Sequence, residues 1–119
     1  MTDSIVGWSQ IEALRELQAP DEPDVVAEVI KTFVSDSSER LARLREAAVD
    51  GNLRQIELEA HTLKGTAGVI GAESLRADAD RVEQAAKASQ ITNLTALIDR
   101  LAASLDAVHK ALLDGPPHT

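Results

Sequence analysis

Residues 53–71 have the sequence LRQIELEAHTLKGTAGVIG. Apolar residues recur in this segment at alternating intervals of three and four, which is the spacing of one face of an α-helix. The set is Leu53, Ile56, Ala60, Leu63, Ala67 and Ile70. We therefore predict an amphipathic helix that turns this stripe inward. Gly71 is expected to end the helix, because glycine readily adopts the left-handed conformation found at helix C-termini.

The opposite side of this predicted helix carries an unusual group of residues. At about 100° per residue, His61, Lys64, Gly65 and Gly68 fall within one narrow sector, with Glu57 one turn earlier. A glycine inside a helix costs roughly 1 kcal/mol relative to alanine, and two glycines lie here one turn apart. We infer that another molecule must bring its backbone close to the imidazole, with the lysine ammonium nearby.

Composition limits the fold and the partners. The chain has 119 residues, of which 44% are apolar but only 2% aromatic, so we expect one domain with an aliphatic core. The net charge is −8 and no basic cluster is present, which argues against nucleic acid and anionic membranes as partners. Cysteine is absent, so thiol chemistry is excluded. No apolar run reaches the roughly 20 residues that span a bilayer, and residues 1–4 lack a signal-peptide pattern. We expect a soluble, cytoplasmic protein.

Two helices are predicted before the central segment. Ser9 and Glu12 have the spacing of a capping box, which predicts a short first helix that ends before the acidic segment 21–24. That segment contains a proline and acidic residues, which are favoured at a helix N-terminus, and the second helix is expected to run to Gly51. The serine-containing stretch 35–38 weakens its middle and permits a kink.

Two further helices are predicted after residue 71. The fourth has an apolar stripe and an adjoining polar flank, and the fifth keeps a near-heptad repeat of apolar residues. The stripe is Leu75, Ala79, Val82 and Ala86, the flank is Arg76, Asp80, Glu83 and Lys87, and the repeat runs from Leu94 to Leu112. The predicted fold is all-α, an antiparallel four-helix bundle with an additional short N-terminal helix. We expect a single domain over residues 1–119, with a core at about 8–113 and a flexible tail at 114–119.

The polar group on the third helix suits covalent chemistry at a histidine. A ring nitrogen is a nucleophile, and the neutral ring is well populated at pH 7 because free histidine has a pKa near 6.5. Phosphorylation of His61 would add negative charge that Lys64, one turn further along, can balance. Gly65 and Gly68 would leave room for the phosphoryl donor or acceptor. Glu83 has the helix phase to reach the other ring nitrogen and fix the tautomer.

Residues 61–72, His-Thr-Leu-Lys-Gly-Thr-Ala-Gly-Val-Ile-Gly-Ala, resemble the motif of the histidine phosphotransfer (HPt) domain family. That motif is His-x-Leu-Lys-Gly followed by small residues and a closing Gly, and the predicted order of helices is similar too. The resemblance implies that His61 is the phosphoacceptor, Lys64 its charge partner and Gly65 the clearance for a docked receiver domain. Many members carry Ser at the two positions after Gly65 and Asn where Val69 stands, so this chain departs from the pattern there.

The resemblance also implies a function and partners. We expect a phosphorelay intermediate that accepts a phosphoryl group on His61 from a receiver-domain aspartate or a kinase and passes it to a response regulator. The expected partners are receiver domains and a sensor or hybrid histidine kinase, and the expected state is a monomer. The chain shows no phosphate-binding loop, so we expect no kinase or ATPase activity of its own and no cofactor. Any Mg²⁺ would belong to the receiver partner.

Other classes of protein remain as alternatives. The N-terminal phosphoacceptor domain of chemotaxis-type or hybrid histidine kinases shares the motif, although the usual ATP-binding and dimerisation domains are not part of these 119 residues. A metal site would combine His61 with Glu57 and Glu83, but the nearby ammonium opposes a cation. A hydrolase would need a substrate cleft for which a small bundle has little room. A structural adaptor would tolerate loss of the imidazole. We assign no role to His109 and His118.

Overall fold

Helices make up the fold of residues 5–116, which are the residues that the computed structural model describes. The elements in chain order are α1 (Trp8–Ala13), a 3-10 helix (Leu14–Leu17), α2 (Val25–Asp50), α3 (Leu53–Val69), α4 (Glu73–Lys87) and α5 (Ile91–Asp114). No strand occurs within the described range. The all-α class predicted from the sequence is confirmed.

The four long helices enclose one hydrophobic core. Helix α3 packs against α2 and α4, α4 packs against α5, and α2 also contacts α5, while the 3-10 helix contacts α2. The predicted stripe of α3 is buried at Ile56, Ala60, Leu63, Ala67 and Ile70, and the whole predicted stripe of α4 is buried as well. Phe33 supplies a buried aromatic ring among aliphatic side chains. The packing therefore fixes which side of α3 faces outward.

Local capping chemistry sets both ends of α2 and both ends of α3. The Asp24 carboxylate accepts hydrogen bonds from the backbone N–H groups of Val26 and Ala27 at 3.0 and 3.3 Å. Gly51 ends α2 in the left-handed conformation at φ 71°, and the Asn52 side chain caps α3. Gly71, at φ 67°, follows the end of α3. These predicted boundaries are confirmed.

The predicted capping box of Ser9 and Glu12 is wrong. Helix α1 begins two residues earlier than that box requires, with Gly7 at the N-cap position, and no side chain caps it. The backbone N–H of Gly7 instead donates to the carbonyl of Ile70 at 2.8 Å. A Cβ on Gly71 would lie only 2.8 Å from the Gly7 Cα, so these two segments of the backbone touch at residues that have no side chain. This contact with the end of α3, and not local capping, fixes where α1 starts.

Helix α2 continues without interruption through the serines where a kink was permitted. The Ser37 hydroxyl donates to the Phe33 carbonyl at 2.5 Å, and the Ser38 hydroxyl donates to the Val34 carbonyl at 2.7 Å. Both serines thus bond to the preceding helical turn, which keeps their hydroxyl groups compatible with a helix.

Some predictions lie partly or wholly outside the described residues. These include the signal-peptide assessment of residues 1–4, and residues 117–119 of the predicted flexible tail with His118 among them. Asp114, which was predicted to lie in the tail, is instead the last residue of α5. None of the helices between residues 5 and 116 has the length and hydropathy to cross a membrane.

Candidate functional site

His61 lies on the outer side of α3. Its neighbours Ala60 and Leu63 are fully buried, so the helical phase turns the intervening imidazole away from the core. The side chain is 66% exposed. A molecule in solution can therefore reach the ring.

A buried carboxylate from α4 holds one edge of this ring. Glu83 Oε2 lies 3.0 Å from His61 Nδ1, and the Glu83 side chain is only 3% exposed. An ionised carboxylate can only accept hydrogen bonds, so Nδ1 carries the proton and donates it. In the neutral ring, Nε2 then keeps its lone pair, and no hydrogen bond within residues 5–116 involves Nε2. The sequence placed Glu83 on the polar flank of α4, but the helix packing buries it.

Two ammonium groups surround the same carboxylate. Lys64 Nζ lies 2.7 Å from Glu83 Oε1, and Lys87 Nζ lies 3.4 Å from Oε2. Glu83 Oε1 has no well-formed hydrogen bond among the described residues. Its close contact with Lys64 is therefore an ion pair whose angles do not suit a hydrogen bond. Burial by itself raises the pKa of Glu83, but the contacts with Lys64 and His61 outweigh it and hold the pKa below its ordinary value of 4.5. Glu83 is therefore ionised at neutral pH.

Lys64 also contacts a second carboxylate. Its Nζ lies 3.2 Å from Asp80 Oδ1, one turn before Glu83 on α4. Contacts with Glu83 first and Asp80 second raise the pKa of Lys64, so the ammonium stays charged. Lys64 in turn is the main cause that lowers the pKa of Asp80. The sequence named Lys64 as a charge partner, but it gave no role to Asp80 or Lys87.

The two glycines of this face have different surroundings. A Cβ added at Gly65 would meet no other group of the described chain within 4 Å, so that stretch of α3 is bare. A Cβ at Gly68 would lie 3.8 Å from Arg76 Cδ, and the Gln10 amide donates to the Gly68 carbonyl at 3.2 Å. Gly68 is therefore partly covered by neighbouring side chains, while Gly65, one turn from the imidazole, is not.

An apolar groove lies beside this face, between α2 and α3. It has a volume of about 350 Å³, and its apolar lining comes from Val25, Val29, Phe33, Val69 and Ile70. Leu58 and Val69 are exposed large apolar residues on the outer surface of α3, one turn before and two turns after His61. A signal for them existed in the sequence, since both residues fall outside the inward stripe of α3.

The metal-binding alternative finds no support in the geometry. Glu57 forms no ion pair in the described part of the chain, and Glu83 is occupied by His61 and two lysines. Between residues 5 and 116, no group of three or more histidine and acidic side chains is arranged to hold a metal ion.

Among the buried polar groups outside this face that were not predicted, two involve residues of α2. Glu59, on the α2 side of α3, accepts from Arg40 at 3.1 Å, Arg43 at 2.9 Å and Gln55 at 2.6 Å. Burial raises the pKa of Glu59, but these bonds from Arg43 and Arg40 reverse the effect and leave the pKa below 4.5. Only the spacing of Gln55 and Glu59, four residues apart, hinted at this cluster.

Another unpredicted group joins α2 to α5. His109 Nε2 lies 2.8 Å from Ser37 Oγ, and the ring packs edge-on against Phe33 with centroids 5.9 Å apart. Because the Ser37 hydroxyl donates to a backbone carbonyl, its oxygen accepts from the imidazole. Burial lowers the pKa of His109, with Asp106 opposing the shift. His109 therefore has a structural setting that differs from the exposed setting of His61.

The fold and the site together are those of a helical phosphoryl-carrier protein. An exposed imidazole on a helical scaffold, with one ring nitrogen held by a buried carboxylate and an ammonium beside it, is suited to carrying a phosphoryl group.

Comparison with known proteins gives the family. The sequence matches the Hpt domain model over residues 28–111, which is most of the chain. The chain belongs to the Hpt domain family, the histidine phosphotransfer proteins of phosphorelays, whose members are phosphocarriers and not kinases. The fold is similar to the crystal structure of histidine-containing phosphotransfer protein B (HptB) from Pseudomonas aeruginosa PAO1, with a TM-score of 0.83, 23% identity and 95% of each chain covered. No curated protein sequence gives a significant match.

Proposed function

We propose that His61 is the phosphoacceptor, and that it takes a phosphoryl group on Nε2 from a receiver-domain aspartate and passes it to another receiver. The observation that carries this proposal is the exposed ring whose Nδ1 is held by the buried Glu83 carboxylate. His109, by contrast, is half-buried and bonded through Nε2. The two settings favour His61 for the reaction.

The transfer step balances with the groups that are present. The Nε2 lone pair attacks the phosphorus of the aspartyl phosphate, the N–P bond forms, and the O–P bond breaks with its electron pair leaving on the aspartate. The ring keeps its Nδ1 proton and becomes positively charged, and Glu83, 3.0 Å away, stabilises that charge. Transfer to the next receiver reverses these changes. Glu83 is thus proposed to orient the imidazole and to stabilise its charged form.

Lys64 is proposed to balance the charge of the phosphoryl oxygens. It lies one helical turn from His61, and its ammonium is already beside the carboxylate that holds the ring. Phosphoryl transfer depends mainly on positioning and charge stabilisation, and a cation beside the ring supplies the charge stabilisation. We propose that this chain needs no cofactor, that Mg²⁺ belongs to the receiver partner, and that the chain has no kinase or ATPase activity of its own.

The docking surface is proposed to surround His61. Gly65 leaves a bare patch beside the ring, Leu58 and Val69 present apolar side chains, and the groove between α2 and α3 lies next to them. Gly68 lies at the edge of this surface. Such a combination of an apolar patch with a few charged groups fits a transient protein partner. A receiver domain, delivered by a response regulator or a hybrid kinase, is the proposed partner.

We also propose how the helices are arranged. The contacts of α2 with α3 and α5, together with those of α4 with α3 and α5, support an antiparallel four-helix bundle with the short α1 at one end. We propose that residues 1–119 act as a single domain, as a monomer in the cytoplasm.

The test is labelling with a phosphorylated receiver domain. We expect wild-type protein to gain an acid-labile, alkali-stable phosphate, and His61→Gln to gain none. His109→Gln is the matched control because it also removes an imidazole, and it should still be labelled. Circular dichroism at 222 nm should show that both variants keep their helix content. Labelling of folded His61→Gln at the wild-type level would refute the assignment.

A further inference from the structure

The Lys64 ammonium is shared between two carboxylates that differ in their access to water. Lys64 Nζ lies 2.7 Å from Glu83 Oε1 and 3.2 Å from Asp80 Oδ1. The Glu83 side chain is 3% exposed, whereas the Asp80 side chain is 44% exposed. A weak contact of 3.4 Å from the Gln84 amide is the other hydrogen bond that Asp80 accepts among the described residues.

Phosphorylation would disturb the charge balance of this group. In the resting state, the two lysines Lys64 and Lys87 offset the two carboxylates. A phosphoryl group on Nε2 adds two negative charges at neutral pH and the ring gains one positive charge, so one negative charge is left over. The Lys64 ammonium is the cation one helical turn from the ring, and it must turn toward the phosphoryl oxygens to balance this charge.

The cost of that movement falls differently on the two carboxylates. Loss of Lys64 would leave Glu83 Oε1 buried with neither a cation nor a well-formed hydrogen bond, which is costly. Asp80 is exposed enough for water to replace the ammonium, and exposed ion pairs contribute little. Lys64 can therefore exchange its Asp80 contact for the phosphoryl group while it keeps Glu83.

Resting on the proposed role of His61, we infer that Asp80 is a positioning residue that competes with the phosphoryl group for Lys64. By holding the ammonium in the resting state, Asp80 makes the phosphorylated state less favourable. The phosphoryl group is then more easily passed on to the next receiver. Asp80 acts through Lys64 and does not touch the reacting atoms.

The experiment measures how a phosphoryl group divides at equilibrium between this protein and a receiver domain. We expect Asp80→Asn to shift the equilibrium toward phosphohistidine by about two- to fivefold, the size of an exposed ion pair. In a Lys64→Met background, Asp80→Asn should leave the phosphoryl equilibrium unchanged to within about 20%, because the ammonium that Asp80 holds is absent. Asp99→Asn is the control for net charge, because Asp99 pairs with Arg45 between α5 and α2 and contacts neither Lys64 nor Glu83, and it should leave the equilibrium unchanged.

The outcomes separate this inference from the proposed function. An unshifted equilibrium for Asp80→Asn overturns the role of Asp80 and leaves His61 as the phosphoacceptor. A shift that persists in the Lys64→Met background also overturns it, because the charge then acts directly on the phosphoryl group. Failure of the wild type to be labelled would refute the proposed function and the inference with it. A second measurement needs no phosphate: an NMR titration of Lys64 Nζ should show a lower pKa in Asp80→Asn, and an unchanged pKa would also contradict the inference.

Discussion

Replacement of Gly65 by alanine should make the protein more stable and a poorer phosphoryl carrier. Gly65 lies inside α3, and an added Cβ would meet no group of the described chain within 4 Å. A glycine-to-alanine change in a helix without new clashes gains about 0.5–1 kcal/mol. For a chain of 119 residues, that corresponds to a melting temperature about 2–4 °C higher. Urea unfolding followed by circular dichroism at 222 nm measures the gain.

The same substitution should slow transfer, because the added side chain projects beside the imidazole where a receiver must approach. Forcing extra methylene groups into a packed interface costs about 1–3 kcal/mol. Gly65→Gln should therefore lower the transfer rate by roughly 5- to 150-fold, with Gly65→Ala between it and the wild type.

Gly68→Ala is the matched control for this pair of effects. Its Cβ would make an ordinary 3.8 Å contact with Arg76, so the gain in stability should be similar while transfer falls less. A loss of stability in Gly65→Ala would show that the site is not open. Wild-type transfer rates in both Gly65 variants would show that the glycine does not serve as clearance for a partner.

The remaining predictions concern charge and protonation. Lys64→Met should slow transfer from a phosphorylated receiver while circular dichroism shows unchanged helix content. An unchanged rate would show that Lys64 has only a structural role. Glu59→Gln should lower the free energy of unfolding at pH 7 by about 1–3 kcal/mol, since charged hydrogen bonds from Arg40 and Arg43 are lost. Because the pKa of folded Glu59 lies below 4.5, its stabilisation is present above pH 4.5 and is lost as the pH falls through the folded pKa, so urea unfolding of the two proteins should converge there. An NMR titration should give His109 a pKa below 6.5, and a value above it would contradict the inferred effect of burial.

Much of the fold was predictable because helices are encoded locally. The apolar stripe of α3 has a period that matches the helix itself, and the Asn52 cap and the Gly71 stop act within a few residues. The start of α1, by contrast, is not encoded locally. Ser9 and Glu12 have the spacing of a capping box, but the approach of Gly7 to Gly71 involves residues 64 positions apart in the chain.

The candidate site, too, was predictable from the sequence in part. The sequence alone determined that His61, Lys64 and Gly65 share one side of α3, because three or four residues make one helical turn. It also placed Glu83 on the border of the α4 stripe. The burial of Glu83, its contact with His61 at 3.0 Å and the sharing of Lys64 with Asp80 depend on the rotation and axial position of α4 against α3.

Only the tertiary structure decided those contacts, and the reason is physical. The helical period fixes which residues lie on one side of a helix to within tens of degrees. A hydrogen bond requires two atoms to meet within a few tenths of an ångström. That precision comes from the close packing of the side chains between two helices, which no local stretch of sequence specifies. The sequence determined the four long helices, the Asn52 cap and the exposed histidine, and the packing of α3 on α4 decided which carboxylate holds the ring.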